Sequence, residues 1–204
     1  DNAGLTNAPA FQTLQTQVDN SAVGTNLLIN TGQNVNAGIA HQGATPLVIG
    51  KLGFDSSAWT YLKAPSSGSW YYQFSSDGDS KTNLHGLVAG QTYTLSGRGT
   101  FVSSNSNAAL RLIYYYYDGS SWNSLSIVST SVFPVSQGAF SAFSAAFTVP
   151  TSAVGGYIYF RGDNYASSSD WFGFNSIKLE AGSVTTPWCP NPTEILTQAD
   201  YTKI

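Results

Sequence analysis

The chain is short of charge, of sulfur and of long apolar runs, and each shortage removes a class of function. Only 9% of its 204 residues are Asp, Glu, Lys or Arg, where a typical soluble domain has about a quarter. Eight Lys and Arg stand against eleven Asp and Glu, for a net charge of -3. The eight are spread from Lys51 to Lys203 without a cluster. Nucleic acid needs grouped cations against its phosphates, so that partner is excluded. No apolar run approaches the ~20 residues of a membrane span. The stretch from Asp1 to Asn20 has neither the basic nor the apolar region of a signal peptide, so the expectation is a soluble domain. There is no Met and one Cys. Cys189 can close no internal disulfide, and its Pro-rich surroundings place it for an intermolecular link. A single domain of this length buries roughly 70% of its unfolded surface, enough for a core without metal or disulfide.

Neutral polar groups and rings take the place of charge. Ser, Thr, Asn and Gln supply about a third of the chain and aromatics 14%. That balance suits a surface that meets neutral, hydroxyl-rich partners.

Residues 1–24 contain no strand-like run. Phe11, Leu14 and Val18 fall at helical spacing, which predicts a short helix or connector with a narrow apolar stripe. From Asn26 onward short β-rich runs alternate with Gly, Ser, Asn and Pro clusters. The runs are Asn26 to Asn30, Pro46 to Leu52, Trp59 to Lys63, Ser69 to Phe74, Gln91 to Val102, Ala108 to Asp118, Ser121 to Ile127, Ala139 to Val149, Gly156 to Asp163 and Asp170 to Glu180. Many short strands with turn signals and no long helical pattern predict an all-β sandwich of two antiparallel sheets, over 25–190, followed by an extension at 191–204. Asp118-Gly119 and the serines after it predict a hairpin turn into the strand of Trp122.

Side chains at i and i+2 share one side of a sheet. Tyr93, Leu95 and Phe101 fall on one side of their strand, and Thr94, Ser96, Arg98 and Thr100 on the other. Leu110, Leu112, Tyr114 and Tyr116 face away from Arg111, Ile113, Tyr115 and Tyr117. Ile158 and Phe160 face away from Tyr157, Tyr159 and Arg161. Three strands therefore carry Arg, and two of them Tyr, opposite the aliphatic side.

Sugars present apolar C–H faces and hydroxyl edges, which suit aromatic rings and fixed planar donors respectively. The candidate carbohydrate-binding residues are Trp70, Tyr72, Arg98, Tyr115, Arg161, Asp163 and Trp171. Taken singly, each is as readily explained by sandwich packing or a surface ion pair; as a set they favour binding. A glycosidase needs two facing carboxylates. Asp163 and Asp170 are a close pair in sequence, but in no recognisable motif, and no catalytic residue is expected. His41 and His85 sit in turn-like Gly contexts, and no Gly-x-Ser-x-Gly elbow is present. Asp77 and Asp79 are suited to Ca²⁺ by residue type, yet the run lacks a later Glu and contains Lys81, so it reads as a solvated turn and no cofactor or metal is expected. In Arg161-Gly162-Asp163, Arg161 reads as a strand end and Asp163 as a loop residue.

Three stretches carry a family resemblance: Asn26-Leu27-Leu28-Ile29-Asn30, Tyr93-Thr94-Leu95-Ser96-Gly97-Arg98, and Ile177-Lys178-Leu179-Glu180-Ala181-Gly182-Ser183 with Thr186-Pro187-Trp188-Cys189-Pro190 after it. Together they resemble the carbohydrate-binding modules of tail and baseplate proteins in phages of lactic acid bacteria. The run from Pro192 to Tyr201 is similar to the segment on the C-terminal side of such modules in phage tail proteins. The resemblance implies a jelly-roll sandwich, a non-catalytic adhesion role on the virion, and host cell-surface polysaccharide and other tail proteins as partners. It also implies structural roles for Leu27, Tyr93, Leu95, Ile177, Leu179 and Trp188. Sugar would then bind on a sheet face or at the loop edge, where Trp59, Trp122 and Asp170 are the candidates. The family pattern often ends Trp-Ser-Pro, and here Cys189 stands after Trp188. Two readings from other classes stand beside this one: an assembly domain whose tyrosines pack against neighbouring subunits, and a glycan hydrolase.

Overall fold

The structure, a computed structural model, describes residues 24–28, 41–42, 48–51, 58–63, 68–73, 81–128, 141–167 and 169–192. The predicted connector over 1–23, the Asp77 and Asp79 turn, and the extension beyond 192 lie outside these residues. So do the side chains of β1 to β3, Trp59 included, and those of Trp70 and Tyr165.

The described strands are β1 (His41–Gln42), β2 (Val48–Lys51), β3 (Ala58–Lys63), β4 (Gly68–Gln73), β5 (Thr92–Val102), β6 (Ala109–Tyr117), β7 (Trp122–Val128), β8 (Ser141–Thr148), β9 (Gly155–Tyr165) and β10 (Trp171–Ala181). They form two antiparallel five-stranded sheets. The front sheet has the order β1-β4-β9-β6-β7 and the back sheet β2-β3-β10-β5-β8. The result is the jelly-roll sandwich that the sequence pattern and the resemblance led us to expect.

Period-two alternation builds the core from both sheets. Leu110, Leu112, Tyr114, Ile158 and Phe160 from the front meet Leu95, Phe101, Phe172, Phe174, Ile177 and Leu179 from the back. Phe160 stacks on Phe174 at 4.7 Å with planes 10° apart. In β10 the inward parity changes from Phe172 and Phe174 to Ile177 and Leu179. A register shift between Asn175 and Lys178 accomplishes this, with Ser176 in the left-handed region (φ 53°). Such a bulge adds one residue to one strand and turns the rest over.

The β6–β7 hairpin closes as predicted. The Asp118 N–H donates to the Ser121 carbonyl (3.1 Å). The Asp118 carboxylate accepts from the Ser120 and Ser121 N–H groups and from Asn123 Nδ2. Those backbone donors hold its pKa below the usual carboxylate range.

Several sequence expectations change in the fold. Residues 24–28 form no ladder strand, although the Leu27 N–H donates to the Leu179 carbonyl (2.8 Å). His41, read as a turn residue, starts β1 opposite Tyr72. Asp163 is a strand residue paired with Ala109, because β9 continues to Tyr165. Trp188 is 38% exposed and does not fill the core, whereas Tyr93, Leu95, Ile177 and Leu179 do.

Most of the polar outer side of β5 and β10 is not solvated. Thr94, Ser96, Thr100, Asn175, Lys178 and Glu180 are all buried. Residues 24–28 and 182–191 cover part of it as a strap. Thr186 donates its N–H to Glu180 Oε1 (2.9 Å) and its hydroxyl to Oε2 (2.6 Å), while Lys178 Nζ donates to the Pro187 carbonyl (2.9 Å) and pairs with Glu180 at 3.3 Å. Asn26 Nδ2 donates to the Cys189 carbonyl (3.1 Å), and its Oδ1 accepts from the Leu28 and Leu179 N–H groups. Cys189 is half-buried with its thiol directed at the Gly24 carbonyl (3.5 Å), which gives it a partner within the chain.

Candidate binding face

The outer face of the front sheet collects the rings that the core does not use. Strand register sets the arrangement: Tyr71 lies opposite Arg161, Arg161 opposite Arg111, Tyr159 opposite Ile113, Tyr157 opposite Tyr115, and Tyr117 opposite Trp122. Ile113, Tyr157 and Tyr159 form a second apolar cluster, separate from the core, with Tyr71, Tyr115 and Trp122 packed on it. Tyr115 and Trp122 are parallel to within 2° at 4.9 Å. Tyr157 and Tyr159 meet Tyr115 edge-on at 5.7 and 6.1 Å. The mutual packing buries Tyr157 and Tyr159 and leaves Tyr71, Tyr115 and Trp122 as half-buried rings at the surface.

Toward the Asp163 end of β9 the aromatic row gives way to charge. Arg111 and Arg161 both reach Asp163: Arg111 Nη2 donates to one carboxylate oxygen, and Arg161 Nε donates to the other at 2.7 Å. The guanidinium side chains are 37% and 40% exposed, and the carboxylate 9%. Burial works to raise the Asp163 pKa, but hydrogen bonds from Ser69, Arg111 and Arg161 outweigh it and hold the carboxyl below its ordinary range. Burial likewise raises the Tyr159 phenol, opposed by the Arg161 guanidinium that hydrogen bonds to it. Ser69, Ala109, Arg111, Arg161, Asp163 and Asn164 line an open depression of about 540 Å³. One wall is fixed by two reciprocal amide contacts, from Asn105 Nδ2 to the Asn164 carbonyl (2.8 Å) and from Asn164 Nδ2 to the Asn107 carbonyl (2.9 Å).

Of the residues predicted from sequence, Tyr115, Arg161 and Asp163 come together on this face. Tyr72 does not: it is 1% exposed, packed inward against Phe174 at 4.8 Å, and burial raises its phenol pKa far above the ordinary value. Arg98 and Trp171 belong to β5 and β10 and so to the back sheet, across the sandwich from Arg161. The Trp70 backbone pairs with Gly162 in β4. Arg111, Tyr71, Tyr157, Tyr159 and Ser69 join the face without having been chosen. Alternation had already put Arg111, Tyr157 and Tyr159 opposite the core side, and the missing signal was which strands are neighbours.

Asp170 makes contacts of its own, apart from the arginine bridge of Asp163. It is 3% exposed, and its Oδ2 accepts from Ser103 Oγ (2.6 Å) and the Ala166 N–H (2.6 Å), tying two loops together. Burial raises its pKa less than these donors lower it. Among the described residues no three His, Cys, Asp or Glu side chains gather as a metal site.

No family model matches the sequence, and no curated protein does. Solved structures share its fold. The C-terminal family 22 carbohydrate-binding module of Clostridium thermocellum Xyn10B superposes with a TM-score of 0.60 at 15% identity, over 80% of this chain and 99% of that one. The CBM22-1 xylan-binding domain of Paenibacillus barcinonensis Xyn10C gives 0.57 at 8% identity, over 80% and 98%. The chain thus has the jelly-roll architecture of carbohydrate-binding modules, matched along nearly their whole length.

Proposed function

We propose that this chain is a non-catalytic carbohydrate-binding module acting through the outer face of its front sheet, in a phage tail or baseplate protein that holds the virion to host cell-wall polysaccharide. The observation that carries the reading is continuity: half-buried rings and a polar depression lie side by side on one sheet. Tyr71, Tyr115 and Trp122 offer ring faces to sugar C–H surfaces, and Arg111 and Arg161 offer planar donors to the edges. From Tyr157 to Asp163 the face extends about 20 Å along β9, long enough for a polymer rather than a single ring. The xylan-binding domains that share the fold support carbohydrate as the ligand class. The phage setting is supported by the resemblance of the Asn26, Tyr93 and Ile177 stretches, whose residues serve the fold and leave the binding face free to vary. Weak single sites of this kind gain strength from several copies on one particle.

The test is labelling of intact Gram-positive host cells by a fluorescent fusion, before and after removal of wall polysaccharide. Labelling should disappear with the polysaccharide and with Tyr115→Ala or Arg161→Ala. Loss with Arg98→Ala and Trp171→Ala instead would move the site to the back sheet. Absence of labelling, with concentration-dependent oligomers in light scattering, would make the tyrosine face a subunit interface.

A further inference from the structure

The depression at the Asp163 end of the face carries two guanidiniums and one carboxylate. In a chain with net charge -3 and so few cations, this is a local surplus of positive charge. Its placement has a cost. Arg111 and Arg161 are directly opposed across β6 and β9, and like charges in that position destabilise a sheet. Asp163 relieves the repulsion by bridging them, but in doing so it uses both carboxylate oxygens on the arginines. It is left poorly placed to accept from a sugar hydroxyl. The guanidiniums are not used up: the Arg111 side chain is 37% exposed and reaches Asp163 through Nη2. Arg161 directs Nε at Asp163 and is hydrogen-bonded to the Tyr159 phenol, with the remainder of its fork half-exposed. Asn164 and Ser69 add uncharged polar groups to the lining.

We infer that this depression is a subsite for an anionic substituent of the glycan, a carboxylate or phosphodiester carried by the polymer that lies along Tyr71, Tyr115 and Trp122. The inference rests on the carbohydrate-binding reading and narrows it to acidic polysaccharides. Forked guanidinium donors match the paired oxygens of either group. Asp163 has a positioning role: it holds two like charges at a fixed spacing and keeps them from repelling the strands apart. Two opposed guanidiniums stand at this end of the face and a single ammonium, Lys81 at 4.9 Å from the Tyr117 ring, at the other, so the anion at the arginine pair sets the register of the polymer over the rings.

The experiment measures binding of the whole chain to one host wall polysaccharide in four forms: native, carboxyl-reduced, treated with aqueous hydrofluoric acid to cleave phosphodiesters, and treated with both. The expected result is binding of the native form roughly ten- to a hundredfold tighter than the form lacking the anion, the range for charge-assisted hydrogen bonds, with the advantage shrinking as salt rises. Which treatment removes it identifies carboxylate or phosphodiester. Arg161→Gln and Arg111→Gln should bring the ratio of native to treated affinity toward one, while Arg161→Lys should keep part of it. If Arg111→Gln fails to fold, the wild-type ratio and its salt dependence still decide the matter. Equal, salt-independent binding of all four forms would overturn the anionic subsite and leave the carbohydrate-binding reading standing. Failure of the folded chain to bind any form would overturn both.

Discussion

Replacing Lys178 by Met tests whether the strap over the back sheet is held by a buried charge pair. Lys178 and Glu180 side chains are 0% and 1% exposed and lie 3.3 Å apart. With Lys178 gone, the Glu180 carboxylate stays buried, held by the Thr186 N–H and hydroxyl alone. Breaking a buried pair from one side typically costs about 3–5 kcal/mol, because the surviving charge is uncompensated. For a domain of this size each kcal/mol lowers the melting temperature by roughly 2–4 °C, so a fall of about 6–20 °C is expected. Glu180→Gln should cost a similar amount by stranding the ammonium. In Lys178→Met/Glu180→Gln both charges are absent and the Gln carbonyl still accepts from Thr186. The double variant should therefore be more stable than the two single losses predict, by at least about 2 kcal/mol of coupling. Urea unfolding of the four proteins measures the cycle, and hydrogen exchange at the Thr186 amide reports on the strap. Single costs below about 1 kcal/mol, the range of exposed pairs, or strict additivity, would refute the reasoning and mean that water reaches the pair in solution.

Three further outcomes rest on named contacts. Gly156→Ala would place a Cβ 2.6 Å from the Tyr115 carbonyl and 3.0 Å from Tyr116 Cα; backbone cannot yield cheaply, so a loss of about 1–3 kcal/mol is expected in urea unfolding, and an unchanged midpoint would contradict the close β6–β9 approach. Asp163→Asn should cost about 2 kcal/mol, with allowance for solvent around the half-exposed guanidiniums; because the native Asp163 pKa is lowered, its stabilisation is complete above the unfolded value near 4 and is lost as pH falls through the native value. The gap between wild type and Asp163→Asn should thus narrow in acid, and a gap constant from pH 6 to pH 2 would count against the bridge. Tyr115→Ala should weaken polysaccharide binding by roughly 1–2 kcal/mol through loss of a stacking ring, checked by calorimetry, and an unchanged affinity would remove Tyr115 from the face.

Alternation made the sides of the strands legible but not their neighbours. The split of β6 into Leu110, Leu112 and Tyr114 against Arg111, Ile113 and Tyr115, and of β9 into Ile158 and Phe160 against Tyr157, Tyr159 and Arg161, is present in the structure as read. Arg98 shows the same local pattern as Arg161, yet β5 pairs with β10 and β8, so the two arginines lie on different sheets. Period-two reasoning distinguishes inside from outside and has no term for strand order. Tyr72 illustrates a second limit: an aromatic with a hydroxyl reads equally well as core or surface, and the register of β4 decides. Thr94, Ser96, Lys178 and Glu180 illustrate a third, since their polarity signals a solvated face, whereas the strap supplies hydrogen bonds to Lys178, Glu180 and Thr94 from within the chain. Asp163 read as a loop residue, yet β9 continues past it to Tyr165. Asn164 takes a left-handed conformation (φ 58°) inside β9, which a short polar side chain tolerates.

The strap also bears on how the candidate face would be presented. Residues 24–28 and 182–191 both lie against the back sheet, where Gly24 donates to Thr186 and Asn191 Nδ2 to the Asn26 carbonyl (2.8 Å). A Cβ at Gly24 would collide with the Glu180 carboxylate, so the close approach of this segment to β10 requires glycine. The rings of Tyr71, Tyr115 and Trp122 are on the far side of the sandwich, with two sheets and the core between. A polymer lying on them meets neither segment. The buried Lys178–Glu180 latch and the half-exposed Arg111–Arg161 pair thus lie on opposite sheets: the one fastens a segment of this chain, and the other faces out beside the rings.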